Sequence, residues 1–184
     1  MTLRFRTHVS LPADLRTVLV DGLNVTLAAT LDLSSQVKQA HWNVRGEQFF
    51  ARHVMFDRLY PRLVGWTDQI AERVAQLGGY AEGTVRCAAA ASLLKEHDLR
   101  AVLGAEHVRS LTDQYATLAS LVRMRITTLE GSPEPVTVDL YTEVLRGLEL
   151  DLWFLESHLE QGTARDSTRA ARESAPSDAA ARTD

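Results

Sequence analysis

Five side chains in this sequence have the types and spacing to hold a divalent metal ion: His41, His53, Asp57, Asp68 and Glu72. Imidazole nitrogens and carboxylate oxygens suit first-row divalent ions, and a small ligand set leaves coordination positions open for a reactant. Four of the five fall on one periodic segment, at relative positions 0, 4, 15 and 19 counted from His53. At about 100° per residue of helix, these four lie within an arc of about 100° and share a face. His53 with Asp57, and Asp68 with Glu72, are i,i+4 pairs that can each chelate from adjacent turns.

Helical rise then limits what one chain can do. Asp57 and Asp68 stand ~16 Å apart along a helix, and His53 and Glu72 ~28 Å. Metal–ligand bonds are only ~2.0–2.2 Å long, so the two pairs cannot grip one ion within a single chain. They can if a second copy packs antiparallel across a two-fold axis, which makes two identical sites per dimer. The constellation therefore predicts both a metal and an oligomer. The chain contains no Glu-x-x-His motif, the signature of a di-iron site inside one bundle, and its single cysteine excludes zinc thiolate chemistry. Iron is the natural redox-active candidate for the remaining His/carboxylate set.

The elements that must position these residues read as helices. From Leu15, apolar positions at Val18, Leu19, Gly22, Val25, Ala29, Leu33, Val37 and Ala40 follow three-and-four spacing. Ser10 and Pro12 mark the start of this helix, Arg45-Gly46 its close, and His41 sits at its end. A second helix spans about Gln48 to Leu77, stops at Gly78-Gly79, and contains Pro61, which should bend it. A brief helix around Ala89 to Glu96 leads into a third long one from about Ala101 to Leu129. After Gly131-Ser132-Pro133-Glu134-Pro135, Thr137 caps a fourth helix that Gly162 ends. No segment alternates like a strand. An all-α four-helix bundle with a short connector helix between helices 2 and 3 is the fold expected.

Composition agrees with one domain of this kind. The 184 residues are 45% hydrophobic and 24% charged, with 20 Lys+Arg against 24 Asp+Glu and a net charge of −4. Such a balance excludes a polycation built to coat nucleic acid. No run approaches the ~18 apolar residues that a membrane span needs, and the lone Cys87 points to a reducing, cytoplasmic home. Residues 1–11 read as an N-terminal extension, 12–160 as the bundle and 161–184 as a mobile polar tail. The tail contains no Leu, Ile, Val, Met, Phe, Tyr or Trp, and its four arginines are balanced by four acids.

KQAHWNVRG, the spacing from His41 to His53, and DQIAERVAQLGG around Asp68 and Glu72 resemble the Dps family of miniature ferritins. The resemblance extends over roughly residues 12–160, through DLWFLESHLE. It implies a ferritin-like bundle assembled as a dodecameric shell, a homododecamer. It also implies a ferroxidase that oxidises ferrous iron with hydrogen peroxide or dioxygen and stores the ferric mineral, protecting DNA. By the same resemblance His41, His53 and Asp57 form one half-site, while Asp68 and Glu72 form the half-site given by the partner. Asp139 and Glu143, one turn apart at the start of helix four, match a region bordering a three-fold pore through which iron enters. A negatively charged first turn favoured by the helix dipole explains them equally well. Arg4 and Arg6 are candidate DNA contacts, since family members often bind DNA through basic termini.

Departures from the family pattern are Pro61 and Gly65 between the two ligand pairs, and Val54, where some relatives carry an acid. His8, His97, His107 and His158 read as surface or structural residues, Trp42 as a packing residue beside His41, and Trp66 and Trp153 as core or interface. The rival reading from another class is a nucleoid-associated DNA-condensing protein whose metal site is vestigial.

Overall fold

The computed structural model describes residues 3–173, with side chains to residue 160. Five helices follow in order: α1 Ala13–Asn43, α2 Phe49–Gln76, α3 Val85–Ala91, α4 Gly104–Thr128 and α5 Pro135–Glu173. No β-strand occurs among the described residues; a single isolated parallel bridge joins Arg45 to Leu103. α1 packs along α2 and α4 along α5, while α1 also touches α3 and α4, and α2 meets α5. This is the expected four-helix bundle with its short connector.

The apolar faces meet in one core. Leu23, Leu27, Leu33 and Val37 of α1 are fully enclosed with Phe56, Leu63 and Ile70 of α2, Leu111, Tyr115 and Leu118 of α4, and Val144, Leu148 and Leu155 of α5. Val18, expected on the buried face of α1, is instead 59% exposed, and Leu19 with Val20 takes the inward arc. Trp66 is buried as expected, and a Cβ on Gly147 would come within 2.2 Å of its ring. That glycine lets α5 approach α2 closely. Trp153, by contrast, is 60% exposed and belongs to no core in the single chain.

Element ends differ from the sequence reading in ways that local hydrogen bonds explain. α3 begins at Val85, four residues early, because the Thr84 hydroxyl accepts from the Cys87 N–H and caps its first turn. α4 starts at Gly104, with the Glu106 carboxylate accepting from the N–H groups of Val102 and Leu103. α5 starts at Pro135 and not after Thr137: the Glu134 carboxylate accepts from the Thr137 N–H at 2.7 Å and its hydroxyl at 2.8 Å. Gly162 does not end α5, which continues to Glu173. One glycine costs a helix about 1 kcal/mol, and the Ala, Arg and Glu residues that follow are good helix formers. Residues 174–184, the remainder of the expected mobile tail, lie outside the described residues. α2 runs unbroken through Pro61 and ends as expected, with Gly78 at φ +83°.

Gly78 also anchors the N-terminal extension. Its carbonyl accepts from the N–H groups of Arg4 and Phe5, and a Cβ there would lie 2.6 Å from the Phe5 carbonyl oxygen. Thr7 donates to the Gln76 carbonyl and Arg16 to that of Leu77, so the last carbonyls of α2 are satisfied by residues 4–16. The Arg4 guanidinium lies 4.4 Å from the Tyr80 ring centroid. Both candidate DNA contacts, Arg4 and Arg6, are exposed, with the Arg4 guanidinium lying over the Tyr80 ring.

Candidate metal centre

His41 comes from the last turn of α1 and His53 from the second turn of α2, joined by a corner in which Gly46 has φ +88° and Gln48 φ +58°. That tight left-handed corner brings the two rings together, stacked with centroids 3.8 Å apart. Each ring is tied to the backbone of the other. His41 Nδ1 lies 3.1 Å from the His53 carbonyl oxygen, and His53 Nδ1 lies 3.0 Å from that of His41. A carbonyl oxygen only accepts, so both Nδ1 atoms carry hydrogen. In the neutral rings the lone pairs then sit on the two Nε2 atoms, the arrangement that orients imidazole for a metal.

Asp57, one turn after His53, places Oδ1 3.8 Å from His41 Nδ1 and 3.0 Å from Lys38 Nζ. The Lys38 ammonium, hydrogen-bonded to Asp57, holds that carboxyl below the usual carboxylate range. Lys38 also stands 5.1 Å over the Tyr60 ring. Sequence reading missed Lys38, although it lies three residues before His41 on the same side of α1. Phe49 was missed as well; its ring is tilted against His53 at 5.3 Å. Trp42 is 62% exposed and so is not packed within the single chain.

Asp68 and Glu72 lie on the later turns of α2, both exposed. Among the described residues, no three His, Cys, Asp or Glu side chains converge to hold a metal within one chain. The structure thus brings His41, His53 and Asp57 into one neighbourhood and leaves Asp68 and Glu72 apart from it. Asp139 and Glu143 are exposed near the start of α5, and Glu143 meets Gln69, the neighbour of Asp68, at 3.5 Å. A groove of about 640 Å³ lies mainly between α1 and α3, with Lys38, Trp42 and Val85 on its walls and Tyr60 the contribution of α2.

The ferritin-like domain model matches residues 20–164. The DNA protection during starvation protein of Agrobacterium fabrum is 35% identical over 156 residues, covering 85% of this chain and 96% of that protein. The chain belongs to the Dps family. A second Dps relative of the same name, from Brevibacillus brevis, is 30% identical over 142 residues, covering 75% of this chain and 92% of that one. Among solved structures, DpsA14 from Streptomyces coelicolor superimposes with a TM-score of 0.81 at 30% identity, covering 86% of this chain and 94% of that one. Mycobacterium smegmatis Dps gives 0.80 at 28% identity, covering 84% and 94%. No helix among the described residues of this Dps chain is long and apolar enough to cross a membrane.

Proposed function

We propose that this Dps chain is a cytoplasmic ferroxidase that oxidises ferrous iron at sites shared between two subunits, stores the ferric product inside a homododecameric shell and thereby protects DNA. The observation that carries the reading is the cross-bonded His41–His53 pair, whose Nε2 lone pairs are free to bind metal while the complementary carboxylates stand out of reach on the same helix. Asp68 and Glu72 of a second copy, seated antiparallel along the groove beside Lys38 and Trp42, complete the set. Iron is the substrate. Two ferrous ions each give one electron to hydrogen peroxide, its O–O bond breaks, and two protons complete two waters, so no hydroxyl radical is released. Dioxygen is the alternative oxidant. His41, His53 and Asp57 hold the ferrous ion, and the sparse ligand set leaves room for the oxidant.

Mixing two inactive variants tests the shared site. His53→Ala and Asp68→Ala homo-oligomers should each lose fast peroxide-dependent iron oxidation while keeping the helical core. After joint unfolding and reassembly, half of the dimers are mixed and each has one whole site, so about a quarter of wild-type rate should return. No recovery in mass-verified mixed oligomers would show that the ligands are not shared. The DNA-condensing reading is tested by gel shift across a salt series, since contacts to phosphate weaken steeply with salt.

A further inference from the structure

A second imidazole pair, absent from the sequence reading except as two default structural histidines, grips the corner that joins His41 to His53. His97, between α3 and α4, and His107, in α4, are 3% and 1% exposed. His97 Nε2 lies 2.9 Å from His107 Nδ1, with the rings within 5° of parallel and centroids 5.1 Å apart. Ser110 Oγ lies 3.2 Å from His97 Nδ1. His107 Nε2 is buried without a hydrogen-bond partner, and its polar neighbour is the backbone of Asn43, the last residue of α1. Next along the chain, Arg45 N–H donates to the Val102 carbonyl and Gly104 N–H to that of Arg45. Residues 97–107 therefore close over the corner from outside the metal site.

Neutral rings satisfy every donor and acceptor between Ser110 and His107. With His107 Nε2–H turned toward the Asn43 backbone, His97 Nε2–H donates to His107 Nδ1 and the Ser110 hydroxyl donates to His97 Nδ1. One added proton can be taken by His97 Nδ1 with the Ser110 hydroxyl turning to accept, but it places an imidazolium in a buried site; a second sets two N–H groups head to head at 2.9 Å. The charged groups nearby are Asp98, already paired with Arg100, and Glu106, already accepting from two backbone N–H groups. From α2, the Arg52 side chain lies against Gly104 and adds positive charge to that side.

We propose that His97 and His107 form an acid-released latch on the α1–α2 corner: neutral, the pair fixes the spacing of His41 and His53; protonated, it frees residues 97–104 and loosens the metal half-site. Burial lowers both histidines below their ordinary value; for His97 the neighbouring His107 adds to this, while Asp98 and Glu106 act the other way. With the folded value below the unfolded one, the latch contributes fully above the ordinary histidine pKa and its contribution is lost as pH falls below it. The metal half of this proposal rests on His41 and His53 being ligands; the latch half does not.

Amide hydrogen exchange on the assembled, metal-free protein separates these halves. With exchange times corrected for intrinsic pH dependence, residues 44–48 and 99–107 should lose severalfold protection from pH 7.5 to pH 5.0. The same segments in H97Q/H107Q, and in the milder H97Q should the double variant fail to fold, should change much less. Wild-type protection that does not respond to pH would overturn the latch. Cobaltous ion, which binds without being oxidised by air, then reports on the site. Titration of His41 and His53 is common to both proteins, so the ratio of variant to wild-type affinity isolates the latch. That ratio should rise severalfold between pH 7.5 and pH 6.0; a constant ratio would overturn the coupling to the site. If cobalt binds neither protein at any pH, the metal reading fails while the exchange result still decides the latch.

Discussion

Lys38 sets the charge that a metal meets first. Its ammonium sits on the carboxylate a metal would use, so it competes with the ion and repels it. Lys38→Met should tighten cobalt binding about two- to fivefold, the scale of a half-exposed ion pair; weaker binding on calorimetric titration would mean that Lys38 positions Asp57 instead. A different carboxylate is perturbed in the core. Asp151 is fully enclosed, and burial raises it to about 6 although the Arg62 guanidinium 2.7 Å away works in the other direction. The folded value lies above the unfolded one, so this group's contribution to stability is greatest in acid and is lost as pH rises through about 6. Asp151→Asn should therefore raise the melting temperature at pH 8 by a few degrees and change it little at pH 4.5. The partner tolerates this because the Arg62 side chain is 35% exposed and keeps its water. Equal shifts at both pH values would contradict the assignment.

At the scale of elements, the junction of α2 with the start of α5 depends on one buried arginine. Arg73 donates to Thr137, Gln76 and Glu134, and Glu134 in turn caps α5. Burial works against the Glu134 charge, but Thr137 and Arg73 overcome it and hold the carboxyl below its usual value. Glu134→Ala removes the cap and strands the guanidinium, so it should cost about 3 kcal/mol in denaturant unfolding, whereas Glu134→Gln should cost less. The same junction shows what was legible in the sequence. Long apolar periodicity located all four major helices, because burial of a stripe dominates their stability. The cap was assigned to Thr137 because hydroxyls commonly cap; that Glu134 reaches over Pro135 to bond Thr137 depends on Arg73 arriving from 61 residues away. That His53, Asp57, Asp68 and Glu72 share one face of α2 was likewise readable from spacing alone. Lys38 and the His97–His107 pair were not, since their roles come from contacts between different elements.

Across the whole molecule, several large apolar side chains stand exposed on the single chain. Trp42, Phe50, Val85, Leu99 and Trp153 are each more than half exposed, and the proposed assembly would cover those of them that fall at its interfaces. Native mass spectrometry of the metal-free protein should give a species near twelve times 20.4 kDa. A stable monomer with full oxidation activity would sink the shared-site argument. Cooperative melting should follow assembly, because burial in the oligomer adds to that in each bundle.

The cross-bonding of His41 and His53 has a consequence for how such a site degrades. Each imidazole is oriented by the other residue's main chain, not by its side chain. Replacing either histidine deletes one ligand and one stacking face but leaves the surviving ring its acceptor and hence its tautomer. The two losses should still couple in a thermodynamic cycle, because the rings stack at 3.8 Å, but the coupling would not come from a lost tautomer. A lineage that loses one histidine keeps a correctly aimed partner, and a later reversion at a single codon restores the whole half-site without any rebuilding of the corner around it.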